Sequence, residues 1–216
     1  MSSLQLKNFV KCGTKIVCAG ANYRTAPNFK EKPADPVIFI KPVSSYILEG
    51  EKICIPEDFK VNQEVELGVV IGKKCKNVSQ SNVMDVIGGY CIAQDLTATN
   101  FLEKARGQGL PWCMGKGFDT ACPVSTFIPK EKIPDPHQIE IWCKVNGQER
   151  QRGNTKDFVF TIPELISYIT QYMTLEPYDL ILTGSPPNMG PIKPSDFIES
   201  GIEGIDESYF GVKVYG

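Results

Sequence analysis

The sequence predicts an α+β fold in which short strands form mixed sheets and a few helices flank them. Short β-type runs alternate with loops rich in Gly and Pro, and only a few segments carry helix start signals. Hydrophobic residues make up 42% of the 216 residues, which is enough for a sizeable core. Such a pattern favours α+β over a doubly wound parallel sheet.

Strands dominate the predicted first half. Four apolar runs have the length of strands: Lys15–Ala19, Pro36–Ile40, Glu64–Ile71 and Gly89–Gln94. Between the first two, Ala21–Asp35 is polar and contains Pro27 and Pro33, so it is predicted to be a loop. A loop of this length is either a mobile lid or a plain surface connection.

Helix and turn signals divide the remaining chain. Ser79–Val86 is predicted to be a short helix. Asn100 with Glu103 resembles a capping box, for a helix that stops at Gly107, and Thr161 with Glu164 forms a second one. Asn146-Gly147 predicts a hairpin. The strands predicted in this part of the chain are Gln138–Val145, Gln148–Arg152 and Asp179–Thr183.

Composition and charge exclude several classes of function. The net charge is −2 without a basic stripe, so nucleic-acid binding is not expected. No apolar run reaches the roughly 18 residues of a membrane span. The eight cysteines form no Cys-x-x-Cys pair, which favours free thiols over disulfides or zinc. The first fifteen residues contain Lys7, Lys11 and Lys15 and no acid, which is a weak matrix-targeting signal.

Glu64 and Glu66 lie in an apolar strand, where residues i and i+2 point to the same face. Two neighbouring carboxylates beside a hydrophobic strand repel each other, and a divalent cation would turn them into a site. The alternative is a half-exposed strand with a solvated Glu face.

Asp95 and Lys116 are the next candidates. Asp95 ends an apolar strand, where it either caps the following turn or joins the two glutamates around one cation. An all-oxygen shell of this kind selects Mg²⁺, Mn²⁺ or Ca²⁺. Lys116 lies between Gly115 and Gly117, where it either contacts a substrate carboxylate or enolate or is a solvated loop lysine.

The motifs around these residues resemble the fumarylacetoacetate hydrolase family, specifically its short branch of acylpyruvate hydrolases and oxaloacetate decarboxylases or tautomerases. The resemblance covers most of the chain and follows one order: Asn62–Gly72, Gly88-Gly89-Tyr90, Asp95–Ala98, Gly109–Trp112, Lys116, Cys122-Pro123-Val124, Ile133–His137, Val145-Asn146-Gly147 and Leu182-Thr183-Gly184.

This resemblance implies an enzyme that acts on short β-dicarbonyl 2-oxo acids, with a Mg²⁺ or Mn²⁺ ion as the Lewis acid on an enolate. It implies Glu64, Glu66 and Asp95 as metal ligands and Lys116 as a catalytic residue. Asn22, Lys41 and Ser185 are implied as substrate-binding residues, Ser185 standing where the family usually has threonine.

The resemblance also implies a mixed β-roll or sandwich with flanking helices. It further implies a homodimer without nucleic-acid or membrane partners and a mitochondrial location, with the cytosol as the alternative. The expected division is an N-terminal extension of residues 1–14 and a single catalytic domain of residues 15–216.

The chain departs from the family in two places. Ala21-Asn22-Tyr23 replaces an Arg-Asn-Tyr motif, and the histidine expected just after it is missing, so Glu31 is the candidate for the lid acid. Thr99 and Leu102 replace a substrate-binding arginine and glutamine, for which Arg106 is a possible substitute. Because hydrolysis needs a base to activate water, decarboxylation or tautomerisation of oxaloacetate is predicted over acylpyruvate hydrolysis. The alternative is a catalytically impaired relative that binds metal and 2-oxo acids.

Overall fold

The computed structural model describes residues 2–215 and confirms the α+β prediction. The five α-helices are short: α1 (Ser3–Leu6), α2 (Phe9–Cys12), α3 (Thr99–Gln108), α4 (Cys113–Lys116) and α5 (Ile162–Tyr172). The strands are β1 (Ile16–Gly20), β2 (Val37–Lys41), β3 (Tyr46–Ile47), β4 (Lys52–Cys54), β5 (Val61–Gln63), β6 (Val65–Ile71), β7 (Ile87–Gln94), β8 (Thr97–Ala98), β9 (Cys122–Pro123), β10 (Ile128–Pro129), β11 (Glu140–Val145), β12 (Gln148–Asn154), β13 (Leu180–Leu182), β14 (Gly190–Ile192), β15 (Phe197–Ile202) and β16 (Ile205–Tyr215).

Two large mixed sheets form a sandwich. One has the strand order β10-β7-β6-β13-β1-β2, and the other has the order β12-β11-β15-β16-β4. Leu67 and Ile92 of the first sheet share one buried cluster with Cys143 and Val212 of the second. The main hydrophobic core therefore lies between the sheets.

The outer face of the six-stranded sheet is covered from the N-terminus. Leu6 of α1 and Phe9 of α2 are buried against a second cluster that includes Val70 and Leu180 of this sheet. Just after α2, Thr14 donates from both its backbone N–H and its hydroxyl to Asp179 Oδ1, at 2.9 and 2.8 Å. These contacts join the chain after α2 to the start of β13, an inner strand of the six-stranded sheet.

Most predicted strands and turns are confirmed. Asn146 and Gly147 have φ values of 53° and 75°, so they form the predicted tight turn between β11 and β12. The capping box of Thr161 and Glu164 is present at the start of α5. Cys18, Cys75, Cys91, Cys122 and Cys143 are buried, and all eight cysteines are free thiols.

The predicted start and end of α3 are wrong. The N-cap is Ala98, without a side-chain cap, and the helix continues past Gly107 to a left-handed Gly109 with a φ of 65°. Asn100 does not cap because its side chain accepts from Lys60 N (3.0 Å) and donates to Asp58 O (2.8 Å). The segment predicted as a helix at Ser79–Val86 contains only a 3₁₀ turn, Gln80–Asp85.

Candidate active site

Three carboxylates converge where β6 begins and the neighbouring strand β7 ends. Glu64 lies at the break between β5 and β6, Glu66 lies on β6, and Asp95 follows β7. Val65 pairs with Gln94 across the antiparallel strands, and Asp95 N donates to Glu64 O at 2.8 Å. As a result, one carboxylate oxygen of each acid lies within 4.8 Å of the others. We call Glu64, Glu66 and Asp95 the acidic triad.

The acidic triad is shielded from solvent, so the alternative of a solvated Glu face is wrong. Glu66 is 2% exposed and Asp95 is 1% exposed. Burial raises the pKa of Glu66 well above its ordinary value, and the charges of Asp95 and Glu64 raise it further. Burial also raises the pKa of Glu64, while Lys116 opposes that shift. The triad is therefore a store of buried negative charge that a cation would stabilise.

Lys116 points into the triad from α4. Its Nζ lies 2.6 Å from Asp95 Oδ2, 3.1 Å from Glu64 Oε2 and 4.7 Å from the centre of the Phe39 ring. Lys116 is 4% exposed, so it is not the solvated loop lysine that the sequence left as an alternative. A Cβ on Gly115 would lie 3.0 Å from Leu102 N, which shows why glycine is needed for α4 to approach α3.

The charge of Lys116 is set by the carboxylates around it. Burial lowers the pKa of the ammonium, but the charges of Asp95, Glu64 and Glu66 outweigh burial and hold the pKa above its ordinary value. Without a cation in the triad, Lys116 is therefore protonated at neutral pH.

Lys41 lies beneath Asp95 instead of lining the cavity. It is fully buried, and its Nζ donates to the carbonyls of Leu96 (2.9 Å), Ala121 (3.1 Å) and Lys116. The same Nζ lies 2.9 Å from Asp95 Oδ1. Burial raises the pKa of Asp95, but the neighbouring ammonium groups outweigh burial and hold it below its ordinary value. This position supports Asp95 and leaves Lys41 no face toward a substrate.

Asn22, predicted to bind substrate, has its side-chain amide engaged in hydrogen bonds to the backbone. Its Nδ2 donates to Phe160 O (3.0 Å) and Thr183 O (2.8 Å), and its Oδ1 accepts from Phe160 N (2.8 Å). Asn22 is 1% exposed. It fastens the loop after β1 to the loop after β13.

Glu31, the candidate for the lid acid, is exposed and does not line the cavity that holds the triad. The next residue, Lys32, forms an ion pair with Glu164 at 2.7 Å and lies 4.6 Å from the Phe160 ring centre. These contacts hold this part of the loop at the start of α5. Farther back in the loop, Ala26 and Asn28 do line the cavity.

The loop after β13 contacts the triad through its backbone. Gly184 N donates to Glu66 Oε2 at 2.6 Å, and Gly184 has a φ of 102°. A Cβ there would lie 2.6 Å from Asn22 Cβ, so only glycine fits. Ser185 lines the cavity as predicted from its position, and its Oγ accepts from Gln151 Nε2 at 2.8 Å.

The cavity above the triad has a volume of about 350 Å³, the size of a small-ligand site. Its wall combines apolar and polar side chains. The lining includes Tyr23, Phe39, Thr99, Glu103, Arg106 and Trp112. The hydroxyl of Tyr23 is buried without a hydrogen-bond partner among residues 2–215. Sequence reasoning missed Tyr23, since a buried aromatic ring is usually part of a core.

His137, the single histidine, lies outside this cavity. Its Nε2 accepts from Ile162 N at 3.1 Å, at the first turn of α5. Burial lowers the pKa of this imidazole, which matches its use as a neutral acceptor. The described lining of the cavity therefore contains no histidine to activate water.

Known proteins match this chain over nearly its full length. A family model, the C-terminal domain of fumarylacetoacetate hydrolase, matches residues 15–212. The human mitochondrial oxaloacetate tautomerase FAHD1 is 44% identical over 217 residues, covering 98% of this chain and 97% of that protein. The mitochondrial oxaloacetate decarboxylase of Dictyostelium discoideum is 46% identical over 207 residues, covering 93% and 94%.

A solved structure links the fold to a metal and a 2-oxo acid in another protein. Fumarylpyruvate hydrolase from Pseudomonas aeruginosa, in complex with Mn²⁺ and pyruvate, superimposes with a TM-score of 0.86 at 25% identity. The match covers 93% of this chain and 89% of that one.

Proposed function

The chain belongs to the fumarylacetoacetate hydrolase family of enzymes, and on that premise we propose that it is a divalent-metal-dependent oxaloacetate tautomerase. The observation that carries this proposal is the acidic triad with Lys116 Nζ inside it, in a cavity of small-ligand size. Such a site pairs a place for a cation with one proton-carrying group.

The triad fits Mg²⁺ or Mn²⁺ by its donor set. Three carboxylates offer only oxygen ligands, which hard cations prefer, and neither His nor Cys belongs to the cluster. Asp95 Oδ1 is buried and has Lys41 Nζ, at 2.9 Å, as its ionic partner, so the oxygen keeps a further lone pair for a cation. A bound cation would supply Lewis-acid polarisation of the two oxygens at the 2-oxo acid end of a substrate.

Lys116 is proposed to move the proton of the tautomerisation. In the direction from enol to keto, Nζ donates a proton to C3 of the enol, and the neutral amine then takes the proton of the C2 hydroxyl. The bond to C3 forms, the O–H bond breaks, and Lys116 returns to its ammonium form. Asp95 and Glu64 orient Nζ for this exchange through the contacts at 2.6 and 3.1 Å.

Decarboxylation of oxaloacetate is the second candidate activity, while efficient acylpyruvate hydrolysis is not proposed. The described cavity lining contains no histidine, and Glu31 lies outside it, so neither the expected histidine nor the candidate lid acid is in place to activate water. Removing a positioned general base typically costs about 10²- to 10⁴-fold in rate. Loss of CO₂ from a 3-oxo acid needs an electron sink instead, and the Dictyostelium relative is a decarboxylase by name.

A substrate panel tests the proposal. Purified protein with Mg²⁺ or Mn²⁺ is given the enol of oxaloacetate, whose absorbance decays on ketonisation, while CO₂ release reports decarboxylation. We expect turnover that EDTA and Glu64→Gln both abolish. The matched surface variant Glu207→Gln should retain it, since Glu207 does not line the cavity and forms an exposed ion pair with Lys132. Acetylpyruvate should be turned over more slowly.

Two results would contradict the proposal. Equal or faster turnover of acetylpyruvate would identify a hydrolase. A metal-dependent thermal shift without turnover of any substrate would identify the impaired relative that the missing histidine left as the alternative.

We propose that the chain forms a homodimer through the edge of the six-stranded sheet. The edge strand β2 carries exposed Val37 and Ile40, and exposed Leu110 and Met114 lie on the chain segments next to it. An apolar edge strand is an unstable surface for a monomer. Sedimentation should give the mass of a dimer, and Ile40→Lys should shift it to the monomer. A wild-type monomer at micromolar concentration would refute this.

We also propose a mitochondrial location, which is in the names of the human and Dictyostelium relatives. Among residues 2–215, each helix is too short or too polar to span a bilayer. Cell fractionation with matrix and cytosolic markers tests the location. The division into residues 1–14 and a catalytic domain of 15–216 stays a prediction, which activity of a chain lacking residues 1–14 would test.

A further inference from the structure

One positive charge in the cavity wall has no ionic or hydrogen-bonding partner among residues 2–215. Only two cationic side chains line the cavity in the described part of the chain, Lys116 and Arg106. Lys116 is paired with Glu64 and Asp95. Arg106 forms neither an ion pair nor a side-chain hydrogen bond with any residue from 2 to 215. Its guanidinium is therefore the free cation of this cavity.

Arg106 belongs to the face of α3 that forms one wall. Thr99, Leu102, Glu103 and Arg106 all line the cavity, at the i, i+3, i+4 and i+7 spacing of one helical face. Arg106 lies in the last turn of α3, where a positive charge is favoured by the helix dipole. Glu103 shares this wall but forms no ion pair with Arg106, so the guanidinium keeps its donors.

Trp112 holds the guanidinium in place. The Arg106 Cζ lies 4.7 Å from the centre of the Trp112 ring, and Trp112 lines the same cavity. The same ring packs against Phe39 at 5.6 Å between centres, and Phe39 in turn lies beside Lys116 Nζ. A stacked guanidinium loses less freedom on binding an anion than a free chain, because its plane is already fixed.

We propose that Arg106 binds the carboxylate at the far end of a 2-oxo dicarboxylate and makes the site selective for substrates with a second acid group. This rests on the proposed function, since it assumes that the 2-oxo acid end is held at the acidic triad. The far carboxylate then needs a cation elsewhere on the wall, and Arg106 is the unpaired one. Arginine is suited to this because its planar fork matches a carboxylate in two hydrogen bonds.

The matched pair of ligands for the test is oxaloacetate and 2-oxobutyrate, in which a methyl group replaces the far carboxylate. In Arg106→Gln we expect the KM for oxaloacetate to rise about tenfold, equivalent to about 1.4 kcal/mol, with little change in kcat. The inhibition constant of 2-oxobutyrate should stay unchanged, since that ligand lacks the group that Arg106 binds. Arg106→Lys should fall in between, because it keeps the charge and loses the fork.

The control is Lys104→Gln, which removes one positive charge from the exposed side of the same helix. It should leave the KM for oxaloacetate unchanged. This control distinguishes a direct contact between Arg106 and the substrate from a nonspecific effect of removing one positive charge. The melting temperature of Arg106→Gln should fall only slightly, since the side chain is exposed and loses only its stacking on Trp112.

Failure of this inference is distinguishable from failure of the proposed function. If oxaloacetate is not converted, it serves as an inert ligand, and both compounds are titrated by calorimetry in the presence of Mg²⁺. Selective loss of oxaloacetate affinity in Arg106→Gln would still support the inference. An unchanged affinity for oxaloacetate, or an equal loss for both ligands, would overturn it.

Discussion

Lys41→Met removes the buried ammonium beneath Asp95 and tests how the acidic triad is supported. Lys41 is fully buried, and its Nζ donates to the carbonyls of Leu96, Lys116 and Ala121 and lies 2.9 Å from Asp95 Oδ1. Methionine has a similar length, so the substitution removes the charge while it fills most of the space. Asp95 then keeps Lys116 as its sole cation within the described chain.

The expected cost follows from this geometry. Breaking a buried ion pair from one side typically costs about 3–5 kcal/mol, because the remaining charge stays buried without its partner. The three carbonyls also lose a hydrogen-bond donor. Because these hydrogen bonds and the ion pair share one ammonium group, their free-energy costs are not fully additive. We expect the free energy of unfolding to fall by about 3–5 kcal/mol, a large share of the roughly 5–15 kcal/mol of a typical domain. The pKa of Asp95 should rise, and the affinity for a divalent cation should fall with it.

Urea unfolding followed by circular dichroism measures the first effect, and calorimetric titration with Mn²⁺ measures the second. The matched control is Lys76→Met, which removes an exposed lysine that donates to one carbonyl, Gln171 O, at 2.9 Å. That control should change stability by less than about 0.5 kcal/mol. A loss below about 1 kcal/mol in Lys41→Met, together with a raised KM, would refute the supporting role and return Lys41 to the substrate site.

Three further predictions concern the site and its surroundings. Folding raises the pKa of Glu66, so in the metal-free protein stability should fall as pH rises above about 4.5. The increase in melting temperature on adding Mg²⁺ should grow over the same range. An increase in melting temperature that does not depend on pH would contradict this. Gly184→Ala should destabilise the protein by about 1–3 kcal/mol in urea unfolding and weaken Mn²⁺ binding, because of its φ of 102°; Gly107→Ala, in open space within a helix, should be neutral or stabilising. The pKa of His137 is lowered by burial, so stability should be lost as pH falls below about 6.5, when protonation removes the acceptor for Ile162 N; His137→Gln should flatten this dependence in thermal melts at different pH values.

Local signals predicted local structure well. The Asn146-Gly147 turn and the Thr161–Glu164 capping box depend on residues at most three positions apart, and both are present. Asn100 shows where such a signal fails, because its side chain binds the loop at Asp58 and Lys60, some forty positions earlier. Competition from a distant backbone group is not visible in a short motif.

The site divides in the same way. Strand periodicity predicted that Glu64 and Glu66 share a face, whereas the place of Asp95 at a strand end left a capping role open beside a role in the triad. The groups that support the triad were not predictable: Gly184 N reaches Glu66 from 118 positions away, and Lys41 reaches Asp95 from another strand of the sheet. These contacts depend on sheet order, which the pattern of a single strand does not contain.

The balance of charge connects the triad, the cation and the substrate. Three carboxylates and the two ammonium groups of Lys41 and Lys116 leave one net negative charge in the buried cluster. A divalent cation would change the net charge of the cluster to one positive charge, which attracts an anionic 2-oxo acid. A substrate with two negative charges would leave one negative charge uncompensated. Arg106, which forms no ion pair with a residue from 2 to 215, supplies a positive charge at the cavity wall for the second carboxylate of a 2-oxo dicarboxylate. A substrate with a single carboxylate needs no such group, so the position of Arg106 favours oxaloacetate over acetylpyruvate.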